Sequence, residues 1–247
     1  MHKRITPRPD GVPADLGRPE LPGSKSHAQR AMLLASCLPG RSKFTGVPVS
    51  DDLAVLLRAL AARGVRVTGE GRGVWNVEGH RPAVERPVTI DAGENATVAR
   101  MTLAMLPLLG CRLTVDGHPR LRRRPMGTVT ALLRDAGVQC DSDMLPIQAD
   151  GRGFKAPELV HVDASVTTQP ASGAMLAVAL GGGGIVEIAR PAAIGYLDLT
   201  AQILQSFGSH VVREEHSWGI GYELSPPAGG DRTWAVPPDP SARAFVA

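Results

Sequence analysis

The sequence predicts an α/β domain of three βαβαββ units with pseudo-threefold symmetry. Two spacings and one residue type point to it. Lys25, Thr97 and Gln169, each near the start of a helical pattern, stand 72 residues apart. Asp52, Arg124 and Tyr196, near the start of a second helical pattern, repeat the same interval. Each second pattern then runs into a glycine, Gly64, Gly137 or Gly208, where a left-handed helix C-cap is expected. A whole plan repeated at one period is the mark of stacked supersecondary units.

In the first unit, Ala28, Ala31, Met32, Leu34 and Ala35 form one face of the first helix, and Leu53, Leu56, Leu57 and Leu60 one face of the second. Both sets have helical spacing. Short strands are expected at 65–67 and 73–77, with turn-forming residues between. In the second unit Met105 and Leu108 continue the helix from Thr97. Val129, Leu132 and Leu133 form the next helical face, and strands follow at 138–140 and 145–148. In the third, Met175, Ala177 and Val178 pair with a second face of Leu199, Ile203 and Leu204, and strands follow at 210–212 and 219–223. One unit cannot bury both faces of its helices and its sheet. Three around an axis can, with helices inside and sheets outside.

The three units occupy residues 21–225. Residues 1–20 hold four prolines and are expected to form an extended arm. Residues 226–247 begin with a Pro- and Gly-rich stretch, a linker signature, and end where a helix starts. The chain is therefore expected to be truncated.

Composition narrows the function. Hydrophobic residues make up 43% of the 247, enough for a real core, while aromatics are only 4%. So few rings argue against a base-stacking surface for nucleic acid. A net charge of +3 suits small anionic ligands and is too weak to indicate DNA or RNA. Cys37, Cys111 and Cys140 form no CxxC pair and share no spacing with histidines, so neither a zinc site nor a disulfide framework is expected. No secretory signal and no membrane-length apolar run is present. The expectation is a cytoplasmic protein with no membrane or nucleic-acid partner.

The sharpest motif is Leu21-Pro22-Gly23-Ser24-Lys25-Ser26-His27-Ala28-Gln29-Arg30. Gly23 permits an unusual backbone turn, and Ser24 or Ser26 can cap the helix that follows. The helix N-terminus then offers N–H groups and positive dipole to an anion. Lys25 adds a charge, with Arg30 a turn further on. The corresponding positions in the later units, 93–97 and 166–169, are polar helix starts as well. Three such termini converging on one end would build an anion site. The run Arg120-Leu121-Arg122-Arg123-Arg124-Pro125-Met126 opens the second helix of the second unit near the same rim.

At this point the chain resembles the 3-phosphoshikimate 1-carboxyvinyltransferase family. The loop matches its Leu-Pro-Gly-Ser-Lys-Ser-x-x-x-Arg. Ser50-Asp51-Asp52 matches Ser-Asp-Asp, and 119–126 matches Pro-Arg-x-x-x-Arg-Pro-Met. Ser165-Val166-Thr167-Thr168-Gln169 matches Ser-x-Ser-Ser-Gln, and 238–242 resembles the crossover to the second domain. The resemblance implies the inside-out α/β barrel of the enolpyruvyl transferases, one domain of the usual two, with the arm at 1–20 belonging to the missing second domain and 226–247 as the crossover linker and its truncated start. It implies carboxyvinyl transfer from phosphoenolpyruvate to shikimate 3-phosphate in aromatic amino-acid biosynthesis, with no metal or organic cofactor. It also implies roles. Lys25 is catalytic and touches both substrates. Ser26, Arg30, Thr167, Thr168 and Gln169 hold shikimate 3-phosphate. Ala96, Arg124 and Gln169 join Lys25 around phosphoenolpyruvate.

Three departures stand out. The family's Gly-Asn-Ala-Gly-Thr-x-x-Arg reads Gly93-Glu94-Asn95-Ala96-Thr97-Val98-Ala99-Arg100. Either Ala96 replaces the second Gly and Glu94 the Asn, or Asn95-Ala96 is the family's pair with the Gly deleted. A Glu beside an anionic ligand would repel it. The family's Ser before Lys-Pro-Tyr appears as Ala193 before Ile194-Gly195-Tyr196. The second domain, which supplies the family's catalytic carboxylates, is missing beyond its first residues. The isolated chain is therefore expected to be inactive without a second-domain polypeptide. The alternatives are a divergent enzyme acting on a shikimate-like ring in specialised metabolism and a non-catalytic binding half-domain.

Overall fold

The computed structural model describes residues 21–81, 86–154 and 157–239. The expected arm at 1–20 and the helix start at 241–247 lie outside the described residues. Unit one comprises α1 (Lys25–Ser36), β1 (Gly40–Thr45), α2 (Asp51–Ala62), β2 (Arg66–Gly71) and β3 (Val74–Gly79). Unit two comprises β4 (Val88–Asp91), α3 (Ala96–Met105), β5 (Arg112–Asp116), α4 (Pro119–Arg122), α5 (Gly127–Asp135), β6 (Gln139–Cys140) and β7 (Ile147–Asp150). Unit three comprises β8 (Leu159–Asp163), α6 (Gln169–Gly181), β9 (Gly184–Ala189), α7 (Ile194–Ser206), β10 (Val211–His216) and β11 (Gly219–Leu224). A last strand, β12 (Arg232–Ala235), follows.

The three four-stranded sheets share one order: β12-β1-β3-β2, β4-β5-β7-β6 and β8-β9-β11-β10. In each, the first two strands are parallel and the rest antiparallel. In unit one, however, the parallel strand comes from the far end of the chain. β12 pairs with β1 in the register Ser42↔Arg232 to Thr45↔Ala235. So part of the segment expected as linker is a structural strand of unit one. The composition that suggested a linker describes the Pro/Gly stretch before β12 and not the strand itself.

The core lies between the sheets. β4 and β8 alternate strictly, with Val88, Ile90, Val160 and Val162 turned inward. Every residue of α6 from Pro170 to Ala179 is buried, as expected of a helix surrounded on all sides. It packs closely on α3. A methyl built on Gly173 would lie 2.7 Å from the Ala104 Cβ and 2.8 Å from the Met101 carbonyl oxygen. Only glycine allows that approach.

Gly64, Gly137 and Gly208 have φ of 80°, 90° and 86°, so all three second helices end as the pattern predicted. Two elements differ from expectation. α5 begins at Gly127 and not near Arg124, because Pro125 cannot donate into a helix and disfavours helical backbone at the residue before it. The basic run instead forms the separate short turn α4. Likewise α3 stops at Met105, and Leu108 sits in a 3-10 turn (Pro107–Leu109) opened by proline.

Candidate functional site

The N-terminal ends of α1 and α6 meet at one end of the domain, with Thr97 of α3 beside them. They enclose a cleft of about 320 Å³ lined by Lys25, Ser26, Arg30, Thr97, Thr167, Thr168, Gln169 and Tyr196. The cleft therefore gathers six of the eight residues proposed from the sequence. Ala96 is the first residue of α3 and is buried, and it does not line the cleft. Arg124 is exposed in the turn after α4. A wider cavity of about 560 Å³ lies at the other ends of α1 and α6. Its lining is mainly apolar and backbone, with Arg81 the one charged residue among the described residues there, so the smaller, donor-rich cleft is the better candidate for chemistry.

The loop before α1 is held by the chain's other described end. Ser24 N–H donates to the Pro237 carbonyl at 2.8 Å, and Asp239 N–H to the Pro22 carbonyl at 2.8 Å. A methyl on Gly23 would lie 1.9 Å from the Gly46 carbonyl oxygen. Gly23 thus serves close approach and not the unusual turn expected of it. Ser24 occupies the N-cap position without a side-chain capping bond, so no serine of the loop is committed there.

Arg30 is the electrostatic centre of the site. It is 2% exposed. Its Nε donates to Thr200 Oγ1 at 3.0 Å, one Nη to the Ser26 carbonyl at 3.1 Å and the other to Ser172 Oγ at 3.3 Å. The guanidinium also lies 5.5 Å from the Tyr196 ring centroid. Burial pushes its pKa down to about 10, so it stays charged at neutral pH. Among the described residues no carboxylate pairs with it. A buried cation balanced only by hydroxyls, a carbonyl and a ring favours an incoming anion.

Lys25 is paired already, Nζ to Asp52 Oδ2 at 2.7 Å. Asp52 is therefore more than a helix-start residue. Ser50 Oγ accepts from Leu53 N–H and caps α2, which leaves the Asp52 carboxylate for the lysine. Asn95 caps α3 by accepting from Val98 N–H, and its Nδ2 donates to the Asp52 carbonyl at 3.2 Å. Glu94 pairs with the Arg120 guanidinium at 3.7 Å, and its carboxylate lies 3.0 Å from His118 Nδ1, which also accepts from the Arg120 N–H. Glu94 is thus drawn toward Arg120 of the basic run.

Residues outside the sequence-based set also shape the cleft. Arg100 donates to Gln169 Oε1 at 2.9 Å and to the Pro125 carbonyl at 3.0 Å. Gln169 Nε2 donates to Thr97 Oγ1 at 2.8 Å. Burial and then the neighbouring Arg124 lower the Arg100 pKa. The signal was present: Arg100 closes the motif at 93–100, three residues after Thr97 at the same helix start, though no role was read for it. Ser172 and Thr200, on α6 and α7, carried no such signal.

Cys37, Cys111 and Cys140 are thiols, and burial pushes Cys111 and Cys140 up to about 11. Among the described residues no group of three or more His, Cys, Asp or Glu could hold a metal ion. No helix among them is long and apolar enough to cross a membrane.

The family model for EPSP synthase (3-phosphoshikimate 1-carboxyvinyltransferase) matches residues 16–247. A 3-phosphoshikimate 1-carboxyvinyltransferase of Rhizobium etli (strain CIAT 652) is 30% identical over 98% of this chain and 58% of its own length. One from Bordetella avium (strain 197N) is 32% identical over 80% of this chain and 47% of its own length. The EPSP synthase structure from Acinetobacter baumannii superposes with a TM-score of 0.73 at 24% identity, covering 91% of this chain and 50% of that one; that likeness concerns the fold. The chain thus spans about half the length of the relatives it matches. By its sequence match over almost its whole length, the chain belongs to the EPSP synthase (3-phosphoshikimate 1-carboxyvinyltransferase) family.

Proposed function

We propose that this chain supplies the 3-phosphoshikimate half of a carboxyvinyltransferase site. The reaction joins the vinyl carbon of phosphoenolpyruvate to a ring hydroxyl oxygen of 3-phosphoshikimate. The bond from that carbon to the phosphate oxygen breaks, and the hydroxyl proton leaves with phosphate. Lys25, Ser26, Arg30, Thr167, Thr168 and Gln169 hold the phosphorylated ring. Lys25, Gln169, Arg124 and the start of α3 at Ala96 surround the second substrate. The observation that carries this reading is the buried Arg30, which has no carboxylate partner among the described residues and lines a cleft of hydroxyl and amide groups.

Turnover requires a second-domain polypeptide closing over this end. Val49, Val166, Ile194 and Tyr196 are exposed around the helix N-termini, as apolar groups awaiting a partner would be. Soluble, charged substrates suit a reaction in the cytoplasm. The test is titration of the 247-residue chain with 3-phosphoshikimate and phosphoenolpyruvate separately, followed by an assay of phosphate release with an added second-domain polypeptide. Weak binding of 3-phosphoshikimate, abolished in Lys25→Ala, and release only with the added polypeptide are expected. Binding without release under any complementation would leave a binding half-domain.

A second reading rests on Ala193, which lines the cleft where the family motif carries a serine. An acceptor ring lacking one hydroxyl would fit that wall better. Faster turnover with such a ring than with 3-phosphoshikimate would select it.

A further inference from the structure

We infer that Arg100 is a positioning residue that fixes the Gln169 amide with its nitrogen toward Thr97, making that edge of the cleft rich in donors. The inference rests on the reading that the cleft takes a phosphorylated acid. An amide side chain can turn over, exchanging its oxygen for its nitrogen, and only its neighbours decide between the two. Here Arg100 decides. A guanidinium has donors and no acceptor. Turning the Gln169 amide would set its N–H groups against the Arg100 N–H that now reaches Oε1 at 2.9 Å. The oxygen is therefore held toward Arg100 and the nitrogen away from it.

The consequence passes along the chain of bonds. One Nε2 hydrogen goes to Thr97 Oγ1 at 2.8 Å. Thr97 accepts there, so its own hydroxyl hydrogen points elsewhere. Gln169 and Thr97 both line the cleft. That leaves one amide N–H and one O–H as donors beside the cleft, with a single spare lone pair on the threonine oxygen. Acceptor-rich ligands, phosphates and carboxylates, fit such an edge better than donors do. Arg100 also holds the turn before α5, through the Pro125 carbonyl at 3.0 Å. That turn carries Arg124. One half-buried side chain on α3 thus sets the orientation of an amide on α6 and ties down the turn bearing a cation.

The test uses the full 247-residue chain, with Arg100→Gln, Arg100→Lys and Gln169→Glu. Without ligand, the Gln169 side-chain amide signals in a nitrogen–proton correlation spectrum should lie away from the free-amide position. They should return to it in Arg100→Gln. With 3-phosphoshikimate as probe, Arg100→Gln should bind roughly tenfold more weakly, the size of one charge-assisted hydrogen bond. Arg100→Lys, which keeps one charged donor for Oε1, should recover part of the affinity. Gln169→Glu would gain an ion pair with Arg100 yet offer the cleft an acceptor. It should lose binding while its unfolding temperature holds or rises, a split that a purely structural role would not produce. Unchanged Gln169 signals in Arg100→Gln, or unchanged affinity, overturns the inference. If the unaltered chain fails to bind the probe, the proposed function of the cleft fails, and the amide signals alone still judge whether Arg100 sets the Gln169 orientation.

Discussion

Lys25 Nζ lies 2.7 Å from Asp52 Oδ2, so a cation of the cleft is already engaged before any ligand arrives. Both side chains are substantially solvent-accessible, and such a pair contributes about 1 kcal/mol at most. An incoming phosphate must compete with Asp52 for the lysine. Asp52→Asn should therefore strengthen 3-phosphoshikimate binding by up to about fivefold, within the range of that pair energy. Calorimetric titration checks it. Weaker binding in the variant would mean that the carboxylate holds the lysine in place for the ligand and does not compete with it.

Gly23 tests how the ligand loop is held. A methyl there meets the Gly46 carbonyl oxygen at 1.9 Å and Val236 Cγ1 at 3.0 Å. Gly23→Ala must push the loop off its neighbours, at a cost of about 1–3 kcal/mol. The Ser24 N–H, bonded to the Pro237 carbonyl, should then exchange with solvent faster than in the unaltered chain. Unchanged Ser24 protection in the Gly23→Ala variant would show that the loop has slack the packing does not suggest.

Much of the architecture was legible because its cause is local and repeated. Gly64, Gly137 and Gly208 end helices in left-handed backbone, and that requirement is visible in one residue type. The ligand loop was legible because Lys25, Ser26 and Arg30 stand at one helix start. What stayed hidden arises between distant segments. Nothing near Lys25 in sequence indicates that Asp52 pairs with it. Ser172 and Thr200 hold Arg30 across three helices, and as single hydroxyl residues inside helices they carry no local mark. β12 was missed because its sheet neighbours lie almost the whole chain away. The pairing of Glu94 with Arg120 was hidden for the same reason, since the arginine comes from a different turn.

His27 gives a pH dependence with a definite sign. Burial lowers its pKa from 6.5, Arg30 lowers it further, and Asp239 partly opposes them. Its Nδ1 is buried and has no hydrogen-bond partner among the described residues. The folded state therefore binds the proton less readily than the unfolded state. That favours the fold above pH 6.5, and the advantage is lost as pH falls from there toward the depressed folded value. Urea midpoints should fall between about pH 7 and about pH 5.5 in the unaltered chain and fall less in His27→Asn. Parallel declines in the two proteins would assign the effect to other groups.

The last prediction concerns where the folded unit ends. Residue 225 is the boundary that the Pro- and Gly-rich stretch suggests, yet β12 lies beyond it and completes the first sheet. Removing everything after 225 would strip the parallel partner from β1. It would also remove Trp234, whose ring meets Phe44 edge-on at 5.9 Å, and the buried Val236. The Arg41 N–H would lose its acceptor, Asp231 Oδ1 at 2.8 Å, and Ser24 its bond to Pro237. Burial of a valine side chain alone is worth about 1.5–3 kcal/mol, a large share of the ~5–15 kcal/mol that holds a domain folded. A chain ending at 225 should therefore unfold at markedly lower urea than one ending at 239, and it should self-associate through the exposed edge of β1. The loop carrying Lys25 should lose its protection from exchange first, because its brace lies in the removed segment. Equal urea midpoints for the two lengths would show that the first sheet is stable without its fourth strand.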